Sequence, residues 1–166
     1  MLSAQSLAKI DREVAKYPAD QKRSAVMAAL RIALTERREL GQTPDARCLN
    51  ADVIEFVANY LGIAPVAAYE VATFYNMYDM KPVGQYKITV CTNLPCALSG
   101  GVSAAKYISE KLGIAIGETS ADGKYTLLEG ECMGACGDAP VLLVNNHHMC
   151  SHMSPEAIDK KLAELK

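Results

Sequence analysis

The sequence predicts an α+β chain in two parts: an N-terminal helical domain, then a domain in which strands and helices alternate. Three observations carry this. The 166 residues are 50% apolar and 22% charged, the composition of an ordinary globular protein. Apolar residues recur with helical spacing as far as about residue 80 and with strand spacing beyond it. The change falls at Lys81-Pro82-Val83-Gly84, where proline and glycine interrupt both patterns, so the division is drawn as 1–82 and 83–166.

In the first part Leu7, Ile10 and Val14 share one helical face. A second helix is predicted from about Asp20 to Leu40, with Val26, Met27, Leu30, Ala33 and Leu34 inward and Gly41 as its stop. A third begins at Asn50, a good N-cap. It carries Val53, Ile54, Val57, Tyr60 and Leu61 before Gly62. Pro65 suits the first turn of a fourth helix that runs to about Tyr75. Helices this short need each other's apolar faces to be stable.

In the second part Tyr86-Lys87-Ile88-Thr89-Val90 alternates like a strand and ends at Cys91. Val102, Ala105, Ile108 and Leu112 mark a helix stopped by Gly113. Asp122-Gly123 is a hairpin signal, followed by the strand Tyr125 to Glu129. Val141 to Val144 is an apolar strand, and Asn145-Asn146 turns into a short strand near His148 to Cys150. Ser154 and Pro155 open a last helix as N-cap and first residue, with Glu156 placed for the helix dipole. The order strand, helix, strand, strand, strand, helix is an α/β layer arrangement of thioredoxin type.

The formal net charge of −2 gives no general attraction to nucleic acid or an anionic membrane. No apolar run approaches a membrane span. The N-terminal dozen residues lack an apolar core and carry an early acid, so neither a secretory signal nor an Arg-rich transit peptide is expected. The expected compartment is a reducing cytosol, where disulfides rarely persist. Six cysteines therefore need another role.

Four of them form two pairs. Cys91 and Cys96 are spaced C-x4-C, and Cys132 and Cys136 are spaced C-x3-C. Each pair follows a predicted strand, in a loop that holds Asn93 and Pro95 or Gly134 and Gly137. Rigid strand ends position such loops well. Four thiolates are what a 2Fe-2S cluster requires, two protein sulfurs for each iron. Glycines let backbone N–H groups approach sulfur, and Gly134, Ala135 and Gly137 are the candidates for that support. Glu131 and Asp138 would lower the reduction potential if they point inward.

Structural zinc favours C-x2-C, and thiol redox chemistry uses C-x-x-C; neither pair has that spacing. Spacing alone favours the cluster, with zinc and structural thiols as the alternatives. Cys48 and Cys150 read as ordinary semi-buried thiols. His147, His148 and His152 around Cys150 read as a polar strand and turn before they read as a metal site. No nucleotide-binding glycine fingerprint, phosphate loop or nucleophile signature is present. A cluster with no substrate site of its own would take electrons from another protein and return them to one. No catalytic residue is expected in this chain.

The run Tyr69-Glu70-Val71-Ala72-Thr73-Phe74-Tyr75-Asn76-Met77-Tyr78, then Lys81 to Gly84, the C-x4-C pair and Glu131-Cys132-Met133-Gly134-Ala135-Cys136-Gly137-Asp138-Ala139-Pro140 together resemble one family. It is the E subunit of bacterial NADH-quinone oxidoreductase, respiratory complex I. The resemblance covers nearly the whole chain. It implies a helical domain followed by a thioredoxin-like 2Fe-2S ferredoxin domain, and one cluster on Cys91, Cys96, Cys132 and Cys136. It implies that FMN and NADH are bound by a neighbouring F subunit, with which the cluster exchanges an electron. The other implied partners are further subunits of the peripheral arm, on the cytoplasmic side of the inner membrane. Tyr69 to Tyr78 would be a packed helix end with core aromatics. Relatives also serve NAD-linked hydrogenases and formate dehydrogenases, which are the alternative hosts. A zinc-stabilised structural subunit is the alternative from another class. The segment Asn145 to His152 departs from the family's acids and tyrosines and puts any partner contact there in doubt.

Overall fold

A computed structural model of the chain describes residues 2–165. The chain divides into two compact units, one ending at Pro82 and the other beginning at Val83.

The first unit is helical. Helix α1 (Ala4–Val14) starts where Ser3 Oγ accepts the Ser6 N–H at 3.2 Å, and it buries Ser6 and Ile10. The expected second helix is two pieces, a 3-10 segment (Ala19–Ala25) and α2 (Val26–Leu40), with Gln21 out of helical geometry. The reason is local. Asp20 to Ser24 are all exposed, so no burial holds that stretch in an α-helix. Gly41 does follow α2, but with an ordinary φ of −70°. Its role is space: a Cβ there would stand 2.5 Å from the Arg37 carbonyl oxygen and 2.9 Å from Ala46 backbone.

Helix α3 (Ala51–Leu61) is capped by Asn50, whose Oδ1 accepts the Val53 N–H at 3.1 Å, and it ends at Gly62 in the left-handed conformation with φ 69°. Tyr60, expected inward, lies outside and donates to Asp11 Oδ1 at 2.7 Å, tying α3 to α1. Helix α4 (Pro65–Phe74) buries only Ala68 and Ala72. That thin inner face leaves Tyr69, Phe74 and Tyr75 outside, so the reading of this run as core aromatics fails for them; Phe74 is 80% exposed. Tyr78 alone of the four is buried, and its hydroxyl donates to the Met27 carbonyl at 2.8 Å. Ile10, Leu30, Leu49, Ile54 and Val57 make the centre of the core. Each such side chain stabilises the unit by about 1.5–3 kcal/mol.

The second unit is a four-stranded sheet in the order β2-β1-β3-β4. Strand β1 (Tyr86–Cys91) pairs in parallel with β2 (Tyr125–Gly130), Ile88 opposite Leu127 and Cys91 opposite Gly130. Strand β3 (Leu142–Val144) runs antiparallel to β1, and β4 (His148–Cys150) antiparallel to β3. Two helices lie between β1 and β2: a short one, α5 (Leu94–Leu98), and α6 (Gly101–Leu112). Ile88, Val90 and Leu127 pack with Ala104, Ala105 and Ile108 of α6 and with Ile158 of α7 (Pro155–Glu164). Val102 faces out, because Ala104 and Ala105 take the inward positions.

The hairpin expected at Asp122-Gly123 shrinks to a tight turn. Asp122 Oδ1 accepts the Lys124 N–H at 3.0 Å, and a single bridge joins Thr119 to Thr126. The ladder of β2 goes to β1, since the apolar run of β2 is buried by that parallel crossover. Asn145 and Asn146 both have φ 56°, the geometry of a two-residue hairpin turn. The Asn145 side chain also accepts the Lys87 N–H at 2.8 Å and donates to the Gln85 carbonyl, fixing β3 on β1. Ser154 caps α7 by accepting the Ala157 N–H at 3.3 Å. Among the described residues no helix is long and apolar enough to cross a membrane.

Candidate metal centre

The parallel pairing of β1 and β2 brings their C-terminal ends to one edge of the sheet, with Cys91 opposite Gly130. The first cysteine pair follows β1 and the second follows β2. The Thr92 N–H donates to the Gly130 carbonyl at 3.3 Å, so the two loops leave the sheet side by side.

Cys91 is the last residue of β1, and Cys96 sits within α5; each is 2% exposed. Asn93 and Pro95 start that short helix, and the Ala97 N–H closes it on the Asn93 carbonyl at 2.8 Å. Sequence reasoning missed both α5 and the residue behind it. A Cβ on Gly101 would lie 2.5 Å from the Cys91 carbonyl oxygen and 2.9 Å from that of Cys96. The first residue of α6 therefore rests directly on the backbone of the cysteine loop. The adjacent pair Gly100-Gly101 was the available signal.

The second loop holds Cys132 and Cys136 near the surface. Gly134, with φ 72°, donates its N–H to Cys132 Sγ at 3.4 Å. A 3-10 turn spans Cys136–Asp138, and the Asp138 N–H donates to the Ala135 carbonyl at 3.0 Å. The Ala139–Pro140 peptide bond is cis. Val141 joins the two loops: its carbonyl accepts the Cys91 N–H at 3.1 Å, and its backbone favours the Cys96 thiolate. Cys91, Cys96 and Val141 form a small buried cluster with Met133, Ala135 and Ala139 packed against it.

Cys96 lies within electrostatic reach of Cys91 and Cys136, and Cys136 within reach of Cys132 and Cys91. Burial pushes the Cys96 thiol up, and the thiols of Cys91 and Cys136 push it further, against the Val141 backbone. Partial desolvation does the same to Cys136, followed by Cys132 and then Cys91. Each thiolate thus opposes the next, an arrangement that becomes favourable when a cationic metal centre neutralises them together. The donor set is all sulfur, soft, supported by amide N–H groups and floored by apolar side chains, which fits an iron–sulfur group. Among the described residues no group of three or more His, Cys, Asp or Glu side chains is arranged to hold a metal ion.

The remaining cysteines lie elsewhere. Cys48 is buried in the first unit and its Sγ donates to the Asp45 carbonyl at 3.3 Å, while Arg37 Nε donates to the Cys48 carbonyl. Cys150 is buried in the second core, and burial pushes its thiol up. His148 approaches Lys161 Nζ at 3.5 Å, and His152 Nε2 stands 3.8 Å from Asp138 Oδ1, so these two histidines go to different partners.

A description of the thioredoxin-like [2Fe-2S] ferredoxin family matches residues 10–166. The E subunit of the NADH-quinone oxidoreductase of Rickettsia felis is 41% identical over 151 residues, 91% of this chain and 85% of that protein. The mitochondrial NADH dehydrogenase [ubiquinone] flavoprotein 2 of Dictyostelium discoideum is 37% identical over 142 residues, 86% of this chain and 54% of that protein. Among solved structures, an NAD+-reducing [NiFe]-hydrogenase in its air-oxidised state aligns with a TM-score of 0.66 over 82% of this chain and 22% of its own, at 19% identity. That last likeness is one of fold.

Proposed function

We propose that this chain, which belongs to the thioredoxin-like [2Fe-2S] ferredoxin family and within it to the E subunits of NADH-quinone oxidoreductases, holds its cluster on Cys91, Cys96, Cys132 and Cys136. The chain is an electron-transfer subunit with one 2Fe-2S cluster, and it works with other subunits of an oxidoreductase complex. The single observation behind the ligand assignment is the meeting of two cysteine pairs at the ends of two parallel strands. Two neighbouring pairs suit two irons with two protein sulfurs each, whereas structural zinc draws four ligands to one point.

Held on Cys91, Cys96, Cys132 and Cys136, a 2Fe-2S cluster would supply one-electron transfer. The chain's own part is to hold the sulfurs and set their surroundings. The Gly134 amide and the Val141 backbone stabilise the sulfurs of Cys132 and Cys96, which favours the more negative, reduced state. Met133, Ala135 and Ala139 keep water from the inner pair. Glu131 and Asp138, next to the outer pair, disfavour added negative charge.

The proposed electron partner is the F subunit, with FMN and the NADH site, in the peripheral arm on the cytoplasmic side of the membrane. The relatives among NADH-quinone oxidoreductase E subunits support this host over a hydrogenase, whose similarity to this chain is in fold only. The test is reduction by NADH. The purified chain alone is expected to stay oxidised; with the purified F subunit its visible absorption should bleach. Bleaching by NADH without any flavoprotein would sink this assignment.

A further inference from the structure

Glycine inside a strand often marks a close approach, and Gly130, the last residue of β2, is such a place. A Cβ at position 130 would stand 2.5 Å from Thr89 Cγ2 and 3.1 Å from Met133 Cε, with the Val90 carbonyl oxygen at an ordinary 3.7 Å. The bare Cα is therefore the seat on which the methyl of Thr89 and the end of the Met133 side chain both rest. The two arrive from different parts of the unit. Thr89 belongs to β1, opposite Leu128 of β2 and Leu143 of β3, two residues before Cys91 and on the same face of the sheet. Met133 lies in the second cysteine loop, next to Cys132, and packs against Cys91, Cys96 and Val141. At Gly130 the strand of the first cysteine pair meets the loop of the second.

We infer that Gly130 is a positioning residue for the cluster ligands: its missing side chain lets Thr89 and Met133 share one space, and this fixes the second cysteine loop against the first. The inference rests on the four-cysteine assignment above and adds what holds the two pairs in register. Carbon atoms pack at about 3.5–4.0 Å, so a Cβ 2.5 Å from Thr89 Cγ2 must gain roughly 1 Å from one side. Thr89 cannot supply it. Its branched side chain is stiff about χ1, and β1 is held between β2 and β3. Met133 is flexible and can yield from 3.1 Å. The displacement therefore falls on residue 130 itself, at the end of the outermost strand in the sheet order, and on the chain that leads to Cys132. The methyl of Thr89 carries the contact, and its hydroxyl has no part in it: among the described residues Thr89 Oγ1 is buried with no hydrogen-bond partner.

The test is made on the cluster-loaded chain, reading the rate of iron release to a chelator and the EPR spectrum of the reduced protein. Gly130→Ala should release iron at least about fivefold faster than wild type, with shifted g values. Thr89→Ser removes Cγ2 and keeps the hydroxyl, so Gly130→Ala with Thr89→Ser should return both readouts to wild type. Thr89→Val keeps a branch in the same place, so Gly130→Ala with Thr89→Val should stay as impaired as Gly130→Ala alone. Thr89→Val by itself should match wild type, since the hydroxyl has no partner to lose. Gly130→Ala with wild-type release and spectrum overturns the positioning role and leaves the ligand assignment standing. If Gly130→Ala takes up no cluster at all, Thr89→Ser should restore uptake; absence of rescue, in uptake or in release, overturns the Thr89 contact. A changed spectrum in Thr89→Val alone gives the effect to the hydroxyl and overturns the inference. A wild-type chain that binds no iron overturns the ligand assignment and this inference together.

Discussion

The Gly134 N–H points at Cys132 Sγ from 3.4 Å, and it does so because Gly134 adopts a φ of 72° that side chains disfavour. Replacement by alanine strains that backbone and turns the N–H away. Gly134→Ala is expected to keep its iron but to show a lower midpoint potential. A hydrogen bond to a charged group contributes about 1.5–3 kcal/mol, which for one electron is an upper bound of roughly 65–130 mV. A potentiometric titration followed by EPR reads the shift directly, and an unchanged potential would remove Gly134 from this role.

Gly101 offers a test in which two effects have opposite signs. Alanine is favoured over glycine within a helix by about 1 kcal/mol. Against this, a Cβ at position 101 would press on the carbonyl oxygens of Cys91 and Cys96. We expect the clash to win, because both atoms are backbone and cannot rotate away. Gly101→Ala should lose iron on gel filtration at a rate well above wild type. Full iron retention with raised thermal stability would show that helix propensity governs the site.

Cys136 and Cys48 separate ligand from bystander. Cys136→Ala removes one of the four thiols, and stable iron binding should be lost. Cys48→Ser lies in the helical unit, where the thiol donates to the Asp45 carbonyl, and iron and sulfide content should match wild type. Elemental analysis of both variants side by side decides the matter; iron retained in the first or lost in the second contradicts the assignment.

Cys150 predicts an alkaline effect. Burial raises its thiol above the ordinary value of about 9.0, with Lys161 opposing. Below that value folded and unfolded chains both carry the neutral thiol, and its contribution to stability is complete. As pH climbs past it, the unfolded chain loses the proton first, and the contribution is lost up to the folded-state pKa. Urea unfolding at pH 8 and pH 10 should therefore show a larger loss for wild type than for Cys150→Ala. Equal losses would mean the thiol does not titrate in the linked way.

Strong local patterns made much of this molecule legible in its sequence. Asn50, Gly62 and Ser154 sit at helix ends for reasons contained in their own side chains or lack of one. The four cysteines could be paired by spacing and placed at strand ends. What was not legible depends on burial by distant residues. Asp20 to Ser24 scan as helix, yet have no apolar surface to bury, so the stretch stays 3-10. Tyr69 and Phe74 look like core, yet Ala68 and Ala72 already fill the inner face of α4. Gly101 and Val141 support the cysteine loops through backbone contacts across the sequence, which no spacing rule encodes.

The assignment of one two-iron centre to these four cysteines is tested most directly by the EPR spectrum of the dithionite-reduced protein, purified without oxygen, with iron and acid-labile sulfide measured on the same sample. A spin-half signal with about two irons and two sulfides per chain is expected. An EPR-silent protein with one zinc and no sulfide would contradict it and make the cysteine pairs a structural site.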